Sequence, residues 1–532
     1  MNAPFVGTHH LLRLILRRDR IRLPLWLVGL GATIAGSAAS VPALYDTPEK
    51  VASYASVVGT SPVSYLMSGR QAGIDTIGGI VANEVSQVAQ LGICLMVMFL
   101  VARHTRTEEE SGRAELLRSV VLGRHAATLA ALLYAASAAV LLGMITTVVM
   151  QACGLDAVGS LTYGIGLTLL GVCYVGVSLV AAQLSTSARG ALGLCGVAIA
   201  VGYLVRGVGA MQDNALVWAS PFGWAQGMDA FGAERTWPAL PLLALTAGLL
   251  GLAAWLTAHR DFAGGLLQTR PGRPRASRFT ATPLGLTLRL QRGLLIGWAI
   301  GLGAVGLLYG RVIPTIPSLI ASNPDLAQVI GASAHAEQAL TDAFLRYIYV
   351  FMAVVSTGFA VTSVLRLRSE EEAGRAELVL STSVRRTSWV GATVAVAGLG
   401  VLALSLAMGL GLAIGYALGT GEWSPFASQV AAQLSYAPGV LLVAAVAVVL
   451  PGFVPRWSGL AWAAVAFVGV QVMLGETLRL PHWVDAISPF WHLPKVPVEP
   501  FDPIPAAAEL ALATGLVLLS LWGHRRRDIT SA

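Results

Sequence analysis

Long apolar runs, separated by short polar breaks, occupy most of this 532-residue chain. A helix that crosses the hydrocarbon of a bilayer needs about 20 mostly apolar residues, and about twelve runs reach that length. Hydrophobic residues make up 55% of the chain and charged residues only 12%, which a soluble domain of this size would not show. The runs do not alternate polar and apolar residues as barrel strands do. The sequence therefore predicts an all-α polytopic membrane protein.

The predicted spans form two groups of six. The first group lies near residues 24–43, 77–102, 126–150, 161–185, 190–210 and 238–258. The second group lies near residues 293–312, 344–366, 391–417, 429–450, 458–476 and 505–523. We expect a first six-span half over residues 1–258, a cytoplasmic linker over 259–283 and a second six-span half over 284–532.

One charged sequence occurs twice in the chain. Residues 106–117 read RTEEESGRAELL and residues 368–379 read RSEEEAGRAELV, with nine of the twelve positions identical at an offset of 262 residues. WLVGLGA at 26–32 matches WAIGLGA at 298–304 at an offset of 272, and HRD at 259–261 corresponds to RRD at 526–528 at an offset of 267. Because each half has an even number of spans, these matches predict two parallel six-helix repeats.

Arginines are concentrated in alternate breaks between the spans. They precede the first span, flank both copies of the repeated sequence, fill the linker and follow the last span. Since cations are retained on the cytoplasmic side, both termini should be cytoplasmic in a bacterial plasma membrane. The same topology explains the net charge of +7 without a nucleic-acid partner. Residues 8–23 combine an apolar and a basic face, which predicts an interfacial helix or, equally, a simple basic flank.

The repeated sequence has the features of a docking segment. Gly112 and Gly374 interrupt the helix, and the following RAELLRSV and RAELVLST can each form about two turns with a leucine tip and an ionic rim. The alternative is a solvated turn whose acids offset the neighbouring arginines. The candidate docking residues are Glu108, Glu109, Glu110, Gly112, Arg113, Glu115, Leu116, Glu370, Glu371, Glu372, Gly374, Arg375, Glu377 and Leu378.

These segments, with SVVLGRHA at 119–126 and STSVRRTSWV at 381–390 after them, resemble the cytoplasmic loop of type-2 ABC exporter membrane subunits. The fused twelve-span layout, the linker RDFAGGLL and RLQR at 289–292 are similar to actinobacterial antibiotic and multidrug exporters of the tetronasin-resistance type. The resemblance implies a permease for hydrophobic or amphiphilic drugs. It also implies coupling helices in the repeated segments and two copies of a separate ATPase that binds ATP and Mg.

The chain itself lacks the sequence of a nucleotide site. A phosphate-binding loop requires G-x-x-x-x-G-K-[ST], and the only lysines are Lys50 and Lys495, neither in such a context. We expect no cofactor and no metal in this chain, because its histidines are scattered and no hydrolase motif is present. Two alternatives stay open, a proton-coupled secondary transporter that uses Glu84 and a lipid-modifying enzyme, although the latter has no recognisable metal or nucleotide site.

Polar residues inside the spans are further candidates, because their burial in lipid is costly. Glu84 and Gln87 lie in the second predicted span, and the offset of 262 maps Glu84 onto Arg346, which has the opposite charge. We hypothesise that Glu84 and Arg346 pair near the outer ends of their spans and close an extracellular exit. The alternative is two interfacial charges that reach water independently.

The paired arrangement predicts that Glu84→Arg and Arg346→Glu each lower transport and that the double exchange restores it, because attraction returns when both signs are reversed. The measurement is efflux of a fluorescent drug from cells that express each variant at equal level. Wild-type efflux in both single variants, or no rescue in the double variant, would contradict the pair.

Overall fold

The computed structural model describes residues 4–71, 73–112, 122–259, 275–315, 334–478 and 481–527. Throughout these ranges the regular structure is helical. The chain divides into two compact units, Met1–Pro271 and Gly272–Ala532. The prediction of an all-helical membrane protein is therefore confirmed, while the parallel arrangement of two repeats stays a prediction.

The first unit contains eleven α-helices in its described residues and a short 3-10 helix at Ala215–Ala219. They are α1 (Thr8–Arg18), α2 (Arg22–Leu44), α3 (Pro48–Val58), α4 (Pro62–Met67), α5 (Ile77–His104), α6 (Arg106–Glu110), α7 (Ala126–Ala152), α8 (Ala157–Leu184), α9 (Ala188–Gln212), α10 (Pro221–Gly227) and α11 (Ala239–His259). The helix α8 is central, since α5, α7, α9 and α11 all pack against it.

The second unit contains ten α-helices in its described residues, with 3-10 helices at Ile313–Thr315 and Pro455–Leu460. They are α12 (Pro283–Val312), α13 (Ala334–Glu372), α14 (Arg375–Leu380), α15 (Arg386–Thr420), α16 (Phe426–Leu434), α17 (Ala437–Phe453), α18 (Ala461–Leu478), α19 (His482–Asp485), α20 (Pro489–His492) and α21 (Pro503–Arg526). The longest packing seam of the unit runs between α12 and α15.

Eleven helices in the described residues are long and apolar enough to cross a membrane, and each overlaps a predicted span. The remaining predicted span, 458–476, coincides with α18, whose side chains are described only as far as Val472. Eleven of the about twelve predicted spans are thus matched by candidate helices in the described residues, and the span at 458–476 stays a prediction. At the N terminus α1 buries Leu11 and Ile15, the two inner positions of its apolar face.

Glycines bring α12 and α15 into backbone contact. A Cβ placed on Gly411 would lie 2.1 Å from the carbonyl oxygen of Gly303, and one on Gly415 would lie 2.2 Å from that of Leu307. From the other side, a Cβ on Gly310 would lie 2.1 Å from the carbonyl oxygen of Leu412. Small residues spaced by four positions allow such close approach in membranes, where packing rather than the hydrophobic effect holds helices together.

Asp19 holds three helices of the first unit together. It lies between α1 and α2 with only 1% of its surface exposed. One carboxylate oxygen accepts a hydrogen bond from Arg103 Nε at 3.0 Å, and the other lies 2.6 Å from His104 Nε2 and accepts from the Tyr134 hydroxyl at 3.2 Å. The end of α5 and the first half of α7 are thereby fixed to the turn after α1.

Asp19→Ala should lower the free energy of unfolding by about 3–5 kcal/mol, because it leaves Arg103 and the buried His104 without their acceptor. Thermal unfolding of the purified protein in detergent is the measurement. Asp46→Ala is the matched control, since Asp46 pairs with Lys50 at 2.6 Å on the exposed surface and its loss should leave the melting temperature nearly unchanged. A similar fall in both variants would contradict the role of Asp19.

Candidate functional site

The first repeated segment is anchored by a buried arginine. The helix bends at Thr105, after α5, and continues as α6. Arg106, only 1% exposed, donates hydrogen bonds to the carbonyls of Ala182 and Gln183 in the last turn of α8 and pairs with Glu109 at 2.7 Å. Because the end of a helix leaves carbonyls unpaired and carries partial negative charge, a guanidinium is a suitable partner there.

The other two acids of the first segment contact different helices. Glu108 pairs with Arg18, at the end of α1, at 2.8 Å. Glu110 accepts a hydrogen bond from the backbone N–H of Ala188 at 2.8 Å, at the start of α9, where a helix favours negative charge. The segment is thus fixed to three elements of its own unit before Gly112, which adopts a left-handed φ of 71°.

The second repeated segment begins within the last turns of α13, and the helix does not bend before it as it does before the first segment. Glu370 pairs with Arg366 at 3.3 Å and with Arg375 at 2.6 Å across the turn at Gly374. This contact raises the pKa of the Arg375 guanidinium above its ordinary value, so the pair stays ionised. Glu371 contacts Arg527, immediately after α21. The second segment is therefore fixed to the end of the last span.

One ion pair is common to both segments. Arg106 and Glu109 in the first unit correspond, at the offset of 262, to Arg368 and Glu371 in the second, which lie 3.6 Å apart. Arg368 also pairs with Glu372 at 2.9 Å. Most of the predicted docking acids are thus paired within their own unit. This arrangement differs from a free acidic rim, and it leaves few side chains of the segment available to a partner.

The short helix predicted after the second glycine is present as α14, with six residues rather than the predicted two full turns. Gly374 is its N-cap at φ 68°, a conformation that favours glycine. Leu378 is 73% exposed and Glu377 is exposed, while Ala376 is buried. The predicted apolar tip and ionic neighbour therefore protrude in the second unit. The corresponding residues of the first segment, Arg113, Glu115 and Leu116, lie outside the described residues.

The candidates of the outer gate lie in separate units. Glu84 is exposed on α5 and accepts a hydrogen bond from the Tyr54 hydroxyl, to which Asn83 donates at 2.9 Å. Burial and the Glu84 carboxylate raise the pKa of Tyr54, so that its hydroxyl keeps the proton that it donates. Gln87 and Arg346 are half-buried. The pairing of Glu84 with Arg346 stays a prediction.

A cavity of about 740 Å³ lies in the first unit, between the segment that follows α3 and the segment from α9 to α10. Arg70, Asp213, Asp229 and Arg235 line it beside Trp218. Arg70 and Asp213 are 3.3 Å apart. Its lining of both charge signs does not suit a purely apolar ligand. Among the described residues no three His, Cys, Asp or Glu side chains are placed to hold a metal ion.

Three buried charged residues were not singled out from the sequence. Asp19 has arginines on both sides in the sequence, and its partners are distant in the chain, so its sequence context did not indicate that it is buried. Arg206, 0% exposed in α9, donates to the carbonyl of Met67 at 3.0 Å and could have been found as a cation in an apolar run. Glu509, 6% exposed, is the only acidic residue of α21 and gave the same signal.

Comparison with known proteins gives two findings. Residues 281–525 match the family described as "Multidrug efflux system permease Rv1217c, C-terminal domain". The chain is also similar to the "Multidrug efflux system permease protein Rv1217c" of Mycobacterium tuberculosis (strain ATCC 25618 / H37Rv). The two are 34% identical over 527 residues, which cover 99% of this chain and 96% of the relative. The similarity thus extends through both units.

Gly374→Ala should destabilise the start of α14, because a left-handed backbone costs about 1–2 kcal/mol for a residue with a Cβ. Space is not the cause, since a Cβ at this position would meet nothing within 4 Å. Hydrogen exchange of the amides of residues 375–380 should become several-fold faster. Gly391→Ala in α15, equally open but helical, should leave exchange there unchanged or slower. Equal effects of the two substitutions would contradict the role of the left-handed turn.

Proposed function

Because this chain belongs to the family of multidrug efflux system permeases that includes Rv1217c, we propose that it forms the membrane pathway of an ATP-driven exporter for hydrophobic or amphiphilic drugs. Membership makes it a permease subunit of an efflux system and a multi-pass membrane protein. The docked ATPase, the coupling helices and the class of substrate are our proposal.

The observation that carries the proposal is the protruding tip of α14. Leu378 is the most exposed large apolar side chain of the segment, at 73%, and it lies beyond a fixed glycine turn. An exposed leucine with charged neighbours suits insertion into a groove of another protein, in which the apolar side chain gives affinity and the charges give register. We propose that this groove belongs to one copy of an ATPase, and that residues 113–117 contact a second copy in the same way.

The ion pairs behind the tip would transmit force. Arg375 and Glu370 join α14 to the end of α13, and Glu371 and Arg527 join α13 to the end of α21. In the first unit, Glu108, Arg106 and Glu110 join their segment to α1, α8 and α9. A displacement of either segment would therefore move several helices together, because packed elements respond as units rather than by gradual deformation.

The energy source must be a separate subunit if ATP drives the transport. The chain has only two lysines, Lys50 and Lys495, and neither belongs to a phosphate-binding loop. ATP and Mg would bind to the partner, and two partner copies would match the two repeated segments. We further propose that the repeats are parallel, that both termini are cytoplasmic and that the membrane is the bacterial plasma membrane, from the sequence offsets and the distribution of arginines.

Co-purification tests this function directly. The tagged chain, isolated from its native host in mild detergent, should carry two copies of a protein whose sequence contains G-x-x-x-x-G-K-[ST], as identified by mass spectrometry. Glu115→Arg combined with Glu377→Arg should lower the amount of co-purified partner at least about tenfold, because the reversed charges then oppose docking in the proposed register.

Glu422→Arg is the matched control for this test. Glu422 is exposed after the far end of α15, whereas Glu377 is exposed before its start, so the same charge reversal falls at opposite ends of one span. The control should keep the partner. Retention of the partner by the double variant would refute the docking segments, and a wild-type chain that purifies alone would favour a proton-coupled secondary transporter.

A further inference from the structure

Glu509 is buried in the last span without a partner. It lies in the second turn of α21 with 6% of its surface exposed, and neither carboxylate oxygen has a hydrogen-bond partner in the described part of the chain. Burial of an unpaired carboxylate costs several kcal/mol, more than one well-packed apolar side chain returns. Acidic residues kept inside membrane spans under such conditions usually serve function.

The helices packed against α21 offer no countercharge at this level. The helix α17, along which α21 mainly packs, contains no charged residue. The only charged residue of α15 is Arg386, and its guanidinium donates to the carbonyl of Arg527 at 2.8 Å. Arg527 is 18 residues beyond Glu509, about 27 Å along the helix axis. Arg386 therefore cannot reach the carboxylate.

An apolar cavity lies beside the next turns of the helix, from Leu510 onward. It has a volume of about 260 Å³ and is lined by α13, α15, α17 and α21, the last through Leu510, Ala513 and Thr514. Glu509 and Ala513 are four residues apart and so lie on the same face of α21. A carboxyl group is thus placed beside a space whose walls are almost entirely hydrocarbon.

The sequence match between the two halves gives a comparison for this carboxyl group. The offset of 267 residues, which aligns the ends of the sixth and last predicted spans, maps Glu509 onto Leu242. Leu242 is 0% exposed in α11 of the first unit. If the two halves are repeats, as we propose, a leucine fills the equivalent buried position in the first half, and the carboxyl group at residue 509 needs another explanation.

We propose that Glu509 and the adjoining apolar cavity bind a lipophilic organic cation, such as a quaternary ammonium, a phosphonium or a protonated hydrophobic amine. The positive charge of such a ligand would favour the ionised form of Glu509 and pair with it, while its apolar groups would lie against Val394, Leu441 and Ala444 of the cavity wall. A Ca²⁺ or Mg²⁺ ion would need several oxygen ligands, which the cavity lining does not supply. This inference rests on the proposed efflux function and specifies one class of its substrates.

Equilibrium binding to the purified permease in lipid nanodiscs, without any ATPase, tests the proposal. The probe is tetraphenylphosphonium, and tetraphenylborate is its counterpart of like shape and opposite charge. Wild type should prefer the cation, and Glu509→Gln and Glu509→Leu should bind it on the order of tenfold more weakly or worse. Glu509→Asp should retain part of the affinity. The exposed-site variant Glu422→Gln should bind like wild type.

Equal tetraphenylphosphonium binding by wild type and Glu509→Gln, or equal wild-type affinity for the two probes, would overturn the proposal. If the variants fail to fold, carbodiimide modification of wild-type Glu509, read by mass spectrometry, gives an independent answer. The phosphonium should protect Glu509 from modification and the borate should not, whereas equal labelling with both would refute the site. If phosphonium binding does not depend on Glu509 but the ATPase still co-purifies, the proposed efflux function stands without this site. If phosphonium binding depends on Glu509 but no ATPase co-purifies, the site stands and the proposed ATP-driven function fails.

Discussion

A polar group that enters hydrocarbon must find its partner within the protein, because each unsatisfied group costs several kcal/mol. This constraint explains where the chain keeps its charges. Asp19 with Arg103 and His104, and Arg106 with the carbonyls at the end of α8, lie where spans end and neighbouring elements meet. Between those ends the spans pack through small residues, as at Gly411 against Gly303. Polar contacts therefore set how the ends of the helices are joined, and close packing holds their middles.

The same constraint supports our proposal that the repeated segments transmit movement. Three of their acids, Glu108, Glu110 and Glu371, have partners on other elements, from Arg18 at the end of α1 to Arg527 after α21. What remains exposed in the second segment is mainly the tip of α14, with Leu378 outermost. A segment whose charges are satisfied internally and whose apolar tip is not would bind a partner without losing its own attachment. That division fits a mechanical linker better than a purely ionic contact surface.

The sequence predicted the class of protein and the positions of its spans, because hydrophobic length is a local property. The resemblance to ABC exporter permeases is confirmed by similarity over almost the whole chain. Contacts between distant residues were not predictable in this way. RTEEE and RSEEE are nearly identical, yet the helix bends before the first and continues through the second. Besides the ion pair that they share, the buried Arg106 bonds a carbonyl at the end of α8, whereas the half-buried Arg368 pairs with Glu372. Glu509 was overlooked because one acid scarcely interrupts an apolar run.

If the two halves are repeats, as we propose, their matched positions allow the polar residues that join helices to be compared with those that do not. The pair Arg106 and Glu109 recurs as Arg368 and Glu371, and Asp19 corresponds, at the offset of 272, to Gln291, which is buried and accepts a hydrogen bond from Ser363. At these matched positions a polar residue stands in both halves of the sequence. Glu509 differs, since neither of its carboxylate oxygens has a hydrogen-bond partner in the described part of the chain and Leu242, its match at the offset of 267, is apolar. This difference supports our proposal that Glu509 serves a ligand of the adjoining apolar cavity rather than the joining of helices.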